Sequence, residues 1–354
     1  MVKIKSMVSS ETQAESYSLS KLIRQGNLVP MISGEVLNDL VLGGNSAIVA
    51  AYAKEVGYPL ADSNAVHKIA LYQSLTQGWK DQKLKQDYLD QVAGYVLEMA
   101  RANGTSPGEI EEVLAEAEGL TTSIFARRLH YPLLSKDPDD PLQILSNLAL
   151  PIYVTTSPFT FIEMALQNSG KYPRSEMCRW HTGLDKAPSV FNNAGWSDNE
   201  PECEDNKRDG VYVPCAHKPL VFHLYGVDEY PDSLVLTEDD YLTFLMAVSQ
   251  GRGKDQGVDP VHGVVRGALS SSALLLIGFS LASWSFRFLF WGLMEMMPET
   301  TKKKYLRYCC LQLIPSVQEK QYLESYLRRD ARFDEVYWED DVPGFIRRVL
   351  KPAL

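Results

Sequence analysis

Short apolar runs alternate with longer stretches in which apolar residues recur every three or four positions, and this alternation sets the element order. A short helix over 17–26 leads into a brief strand, Leu28-Val29-Pro30-Met31-Ile32, and Ser33-Gly34-Glu35 turns the chain toward another helical stretch. Ser46 to Val56 predicts a helix closed by Gly57, with Pro59 just beyond as a stop signal. From about 64 to 130 the pattern is helical throughout. Tyr88, Val92, Tyr95, Val96 and Met99 keep three- and four-residue spacing, and Ser106-Pro107 followed by Glu109 opens a further helix. The Met and aromatic residues of that stripe are read as core, and the block as a helical subdomain inserted between strands.

The sheet pattern resumes at Leu150-Pro151-Ile152-Tyr153-Val154, followed by a helix over 159–168. Residues 170–215 are rich in Pro, Asn, Asp and Gly and read as a long surface excursion with little regular structure. Leu220 to Tyr225 predicts a strand ending at Gly226, and Thr237-Glu238-Asp239-Asp240 opens a helix in the manner of a capping box. Leu274-Leu275-Leu276-Ile277 is uninterrupted and apolar, as central parallel strands are. Gly278-Phe279-Ser280 ends it and a helix over 283–296 follows. Residues 305–314 and 334–338 read as the last strands and 341–350 as a closing helix. Strand, tight turn and helix in repetition predict an α/β fold, a Rossmann-like doubly wound parallel sheet whose ligands lie at the carboxyl ends of the strands. Residues 1–16 read as a flexible tail and 17–350 as one α/β domain.

Composition narrows the function classes. The chain has 354 residues and a net charge of -10, which argues against direct nucleic-acid binding, since phosphate contacts need clustered Lys and Arg. No apolar signal segment follows the N-terminus, and the uncharged stretch 268–286 reads as a buried strand and core helix rather than a membrane span, because serines interrupt it. The five cysteines, Cys178, Cys203, Cys215, Cys309 and Cys310, form no CxxC pair. Three of them lie near His181 and His217, but the irregular spacing favours ordinary reduced thiols over a metal site, and reduced thiols suit a cytoplasmic protein.

Four turns together resemble those of the SIR2-like family, the sirtuin-related NAD-consuming domains common in bacterial immune effectors. Val29 to Gly34 sits where that family has a glycine-rich turn, Tyr153 to Ser157 looks like its strand ending in T-T-N, and Phe222 to Gly226 is similar to its L-H-G strand. Ser233 to Tyr241 is very like the segment that follows, and Leu276 to Leu281 with Trp284, Phe286 and Arg287 is similar to its G-Y-S turn. The resemblance runs from about residue 18 to 350. It implies NAD as ligand or substrate, with Ser33, Gly34, Thr155, Thr156, Gly226, Gly278 and Ser280 as cofactor-binding candidates, and nicotinamide release as the active family's reaction. The apolar content of helix 283–297, with Phe288, Phe290, Trp291, Met294, Met296 and Met297, exceeds what one core-facing stripe needs, and this predicts packing in a homo-oligomer or against a partner defence protein.

The catalytic positions depart from that pattern. Glu35 stands where a phosphate should approach, Ser157 stands at the Asn position, Phe159 at the following Asp, and Tyr225 at the catalytic His position. A phenol with a reference pKa of about 10 is a poor base at neutral pH. His223 lies two residues before Tyr225, so alternation along a strand would put both on one face and bring His223 near the usual site, with Ser157 holding a water. The simpler reading is a satisfied histidine on a half-buried strand. Thr155, Thr156 and Ser280 likewise read either as ligand contacts or as helix caps, and Asn38, Asp39 and Gly43-Gly44-Asn45-Ser46 offer substitute ribose or phosphate contacts. His223, Ser157 and Tyr225 are the catalytic candidates, and no metal ligand set is expected. The leading expectation is a catalytically degenerate module that binds NAD or a derivative such as ADP-ribose as a sensor. An active NAD glycohydrolase and a structural oligomerisation module are the alternatives. Deacetylation is disfavoured because its zinc-bearing CxxC pairs are missing.

Overall fold

A computed structural model describes residues 19–60, 65–133, 137–192, 212–250, 258–280, 283–295, 308–313, 317–329 and 333–354. Its centre is a seven-stranded sheet in the order β3-β4-β2-β1-β5-β6-β7, every neighbouring pair parallel. The strands are β1 (Leu28–Ile32), β2 (Ile152–Thr155), β3 (Arg174–Met177), β4 (Leu220–His223), β5 (Ala273–Ile277), β6 (Tyr308–Leu313) and β7 (Glu335–Glu339). Every residue of β1, β2, β4 and β5 is buried, which is why these strands read as apolar runs without alternation. The outer strands β3 and β7 are more polar, as sheet edges are.

Alternate residues feed two cores. Leu28, Ile32, Tyr153, Val221, Leu275 and Ile277 face one side, while Met31, Val154, Phe222, Leu274 and Leu276 face the other. The first face is covered by α1 (residues 19–24), α2 (Gly34–Leu42), α3 (Asn45–Val56), α4 (Val66–Gln77), α5 (Asp81–Ala102), α6 (Pro107–Ala115), α7 (Thr122–Arg128), α8 (Pro141–Asn147) and α9 (Phe161–Asn168). The stripe Tyr88, Val92 and Val96 of α5 is core on this face, so the helical stretch between β1 and β2 shares the sheet's own interior. The second face carries α10 (Glu238–Gln250), α11 (Gly263–Ser271), α12 (Trp284–Glu295) and α13 (Val317–Arg329), together with residues 177–191. A short α14 (Val342–Phe345) closes against the first face and continues as a wider helical turn over Ile346–Leu350.

The expected capping boxes form. Ser106 and Glu109 cap α6 reciprocally, and Thr237 exchanges two bonds with Asp240 at the start of α10. The buried Lys85 of α5 ties the two ends of this architecture, pairing with Asp81 (2.8 Å) and Asp240 (3.5 Å) beneath the Trp180 ring.

Several expectations change. The 170–215 stretch contains β3, which pairs with β4 from Arg174 to Met177, so it begins as an edge strand rather than an irregular excursion. The helices α8, α11 and α13 add to the expected order. The apolar stretch 268–286 divides into the end of α11, β5 and the start of α12, and among the described residues no single helix is long and apolar enough to cross a membrane. Cys178, Cys309 and Cys310 are buried thiols outside any disulfide, but Cys215 is disulfide-bonded, which corrects the reading of five reduced thiols. The proposed tail 1–16 and Cys203 lie outside the described residues.

Candidate functional site

The chain leaves β1 toward β2 and returns from β4 to β5 on β1's other side, so the order of strands reverses between β1 and β5. The carboxyl ends of these strands form the crevice where ligands of doubly wound sheets lie. Four turns meet there: Ser33-Gly34-Glu35 after β1, Thr156-Ser157 after β2, Tyr225-Gly226 after β4, and Gly278-Phe279-Ser280 after β5.

These turns are packed hard on one another. Ser33 is buried and caps α2 by accepting from the Val36 amide (3.2 Å). The Gly34 amide donates to the Thr156 hydroxyl (2.9 Å), and a Cβ at Gly34 would lie 3.2 Å from the Ser157 Cα. Thr155 is also buried: its hydroxyl donates to the Ile32 carbonyl (3.0 Å) and accepts from the Ser157 amide (3.0 Å), so it fastens β2 to β1. Gly278 has φ +84° and lies against Val36 and Ser33, a conformation and an approach that only glycine allows without strain. Gly226, at φ +85°, is pressed in the same way against Ser233. Ser280 is exposed, and its carbonyl accepts from the Ser283 amide just before α12.

Of the three catalytic candidates, His223 and Ser157 meet through a hydrogen bond, and Tyr225 turns away from them. β4 ends at His223, and Leu224-Tyr225 is already a turn, so the alternation that would place His223 and Tyr225 on one face stops between them. His223 is fully buried on the first face. Its Nδ1 donates to the Ser157 carbonyl (2.7 Å), and its Nε2 lies 2.7 Å from Glu163 Oε1 on α9. A carbonyl can only accept, so Nδ1 carries its proton, and a second proton is shared between Nε2 and Glu163. Tyr225 instead packs edge-on against Phe244 and Tyr241 of the second face. Burial, the neighbouring Tyr241 and the charge of Glu35 hold its phenol well above the usual range. The Ser157 hydroxyl is buried and accepts from the Phe159 amide (3.1 Å).

Glu163 and Asp228 are the functional neighbours that sequence reasoning missed. Glu163 Oε1 also accepts from the Ser175 hydroxyl (2.8 Å), and Asp228 Oδ2 accepts from the Ser123 amide (2.6 Å). Burial, opposed by Ser123 and His223, leaves the Asp228 carboxyl above its ordinary range. The signal for Glu163 was present: one carboxylate in the apolar run from Phe159 to Leu166 needs a buried partner. Asn38, Asp39 and Asn45 bond to one another at the far end of α2, away from the strand ends.

Glu35 is exposed at the crevice mouth, and its charge adds to burial in pushing Tyr88 up to about 12. An open cavity of about 750 Å³ lies elsewhere, beside Arg127, His130, Tyr131, Met164 and Asn168. Asn168 ends α9, which runs back from the strand ends, so this cavity is not part of the crevice. Among the described residues no three His, Cys, Asp or Glu side chains gather as a metal site.

A family model described as the SIR2-like domain matches residues 151–330, slightly more than half of the chain. The match begins at β2 and includes the β2, β4 and β5 turns, while the Ser33-Gly34 turn lies outside it. No curated protein matches the sequence. With an all-parallel sheet whose order reverses between β1 and β5 and this match in hand, the chain belongs to the SIR2-like domain family.

Proposed function

We propose that this SIR2-like domain binds NAD or a derivative such as ADP-ribose in the crevice between the β1 and β5 turns, as a catalytically degenerate sensor. The observation that carries the reading is the engagement of His223: it is fully buried, with both ring nitrogens committed to Ser157 and Glu163. A general base must offer a lone pair within reach of the proton it removes, at a pKa near the working pH. Tyr225, the residue at the family's catalytic position, has the wrong pKa for that task. Family membership supports a NAD-related ligand, and the strand-end turns support its location. Titration calorimetry with NAD and ADP-ribose tests the binding half of the proposal, with saturable heat for at least one of them as the expected result.

A second feature supports self-association. Leu242 and Met246 on α10, and Phe288 and Trp291 on α12, are between 53% and 60% exposed, and the two helices pack side by side. Clustered apolar exposure of this kind marks interaction surfaces. Met296 and Met297 lie outside the described residues.

A further inference from the structure

A helix that closes on a left-handed residue does so with least strain when that residue is glycine. Three helices follow the rule: α2, α3 and α4 end at Gly43, Gly57 and Gly78, with φ between 62° and 74°. After α3 the Gly57 amide donates to the Lys54 carbonyl and the Tyr58 amide to the Ala53 carbonyl. The same two bonds close α7, from the His130 amide to the Arg127 carbonyl and from the Tyr131 amide to the Ala126 carbonyl. Here, however, the left-handed residue is His130, at φ +67°, the one described non-glycine residue with a positive φ. Its side chain is 67% exposed and its ion-pair partner Glu109 is 3.9 Å away, so contacts within the chain do little to offset the strain.

That conformation places the imidazole in the lining of the open cavity between α7 and α9. At about 750 Å³ the cavity falls in the range of small-molecule sites, roughly 300–1,000 Å³. Arg127 lines it too. Among the described residues its guanidinium has no carboxylate partner, whereas the adjacent Arg128 is paired with Glu116. No described carboxylate lines the cavity, in a chain whose net charge is -10. The apolar part of the lining includes the buried Tyr131 and Met164, and Leu133, which is 56% exposed.

We propose that this cavity is a second ligand site, separate from the crevice, for a small organic anion with an apolar body, held by Arg127 and His130. The guanidinium fork matches a carboxylate, and an imidazole always has at least one N–H to donate. The apolar body covers Leu133 and rests on Met164. The backbone strain at His130 is retained because glycine there would leave the anion one donor short.

The test is a ligand-observed NMR titration of the full chain with 2-naphthoate and with its uncharged analogue 2-naphthamide. Naphthoate is expected to bind the parent protein at least about tenfold more tightly than naphthamide. Arg127→Gln is expected to weaken naphthoate about tenfold and His130→Gly roughly fivefold. Gln167→Trp, at an exposed position of α9 in the cavity wall, is expected to abolish binding by filling the space. His130→Gly is also expected to raise the midpoint of urea unfolding, a gain that a purely structural imidazole does not give. A lower midpoint would assign His130 to folding and overturn the proposal. Equal binding of the two probes overturns it, as does naphthoate affinity unchanged in any of the three variants, or no naphthoate binding by the parent. None of these outcomes bears on nucleotide binding at the crevice, which is measured with other ligands.

Discussion

His223 of β4 and Glu163 of α9, sixty residues apart in sequence, form a buried pair with Nε2 and Oε1 2.7 Å apart. Together with the Nδ1 bond to the Ser157 carbonyl, the pair clamps the β2–α9 turn onto the neighbouring strand. The histidine thereby acts as a structural element of the crevice wall.

Removing one partner leaves the other buried and uncompensated. His223→Ala is expected to destabilise the fold by about 3–5 kcal/mol, read from the midpoint of urea unfolding. Replacing both, as His223→Leu with Glu163→Met, is expected to recover a large part of that loss. A single variant as stable as the parent protein would show that the pair is not the clamp described.

The pair also sets a pH dependence. Burial lowers the His223 pKa, but the Glu163 charge and the bonds to Glu163 and Ser157 outweigh it, leaving it above its ordinary value of 6.5. The folded chain therefore holds this proton more tightly than the unfolded one. Its contribution is complete below the unfolded value and fades as pH rises through the folded value. Asp228, raised by burial, acts in the same direction from a lower starting value. The stability gap between the parent and His223→Gln should shrink from pH 6 toward pH 9, and a gap that widens would reverse the sign of this argument.

Gly278→Ala tests the close packing of the β1 and β5 turns. At φ +84° any side chain is strained, and the new methyl would fall on Val36 and Ser33. A loss of about 2–4 kcal/mol is expected in thermal or urea unfolding. A neutral substitution would mean the two turns separate readily.

The apolar surface of α10 and α12 makes a separate forecast. If it joins subunits, Trp291→Glu lowers the sedimentation-derived mass at micromolar concentration without lowering the unfolding midpoint. A parent protein that is already monomeric would remove the basis for self-association.

How much of this was legible depended on burial. Central strands such as β5 are covered on both faces, so Leu274 to Ile277 could be nothing but apolar. Edge strand β3, Arg174-Ser175-Glu176-Met177, carries no such run and was lost among the turn residues around it. The polar surface of α13, from Val317 to Arg329, hid its helical period in the same way. At the site, the glycine positions were readable because Gly226 and Gly278 answer local backbone demands. The partner of His223 was not, since Glu163 meets it only through the fold, and the end of β4 at His223 decided on which face Tyr225 would lie.

Binding without turnover is most directly tested by a proton NMR time course of NAD mixed with the purified protein. Broadened NAD resonances with no growth of free nicotinamide peaks are expected from a crevice that holds the dinucleotide but has His223 locked to Glu163 and Ser157. Steady growth of free nicotinamide would contradict the degenerate reading, and a spectrum unchanged at saturating NAD would contradict binding itself.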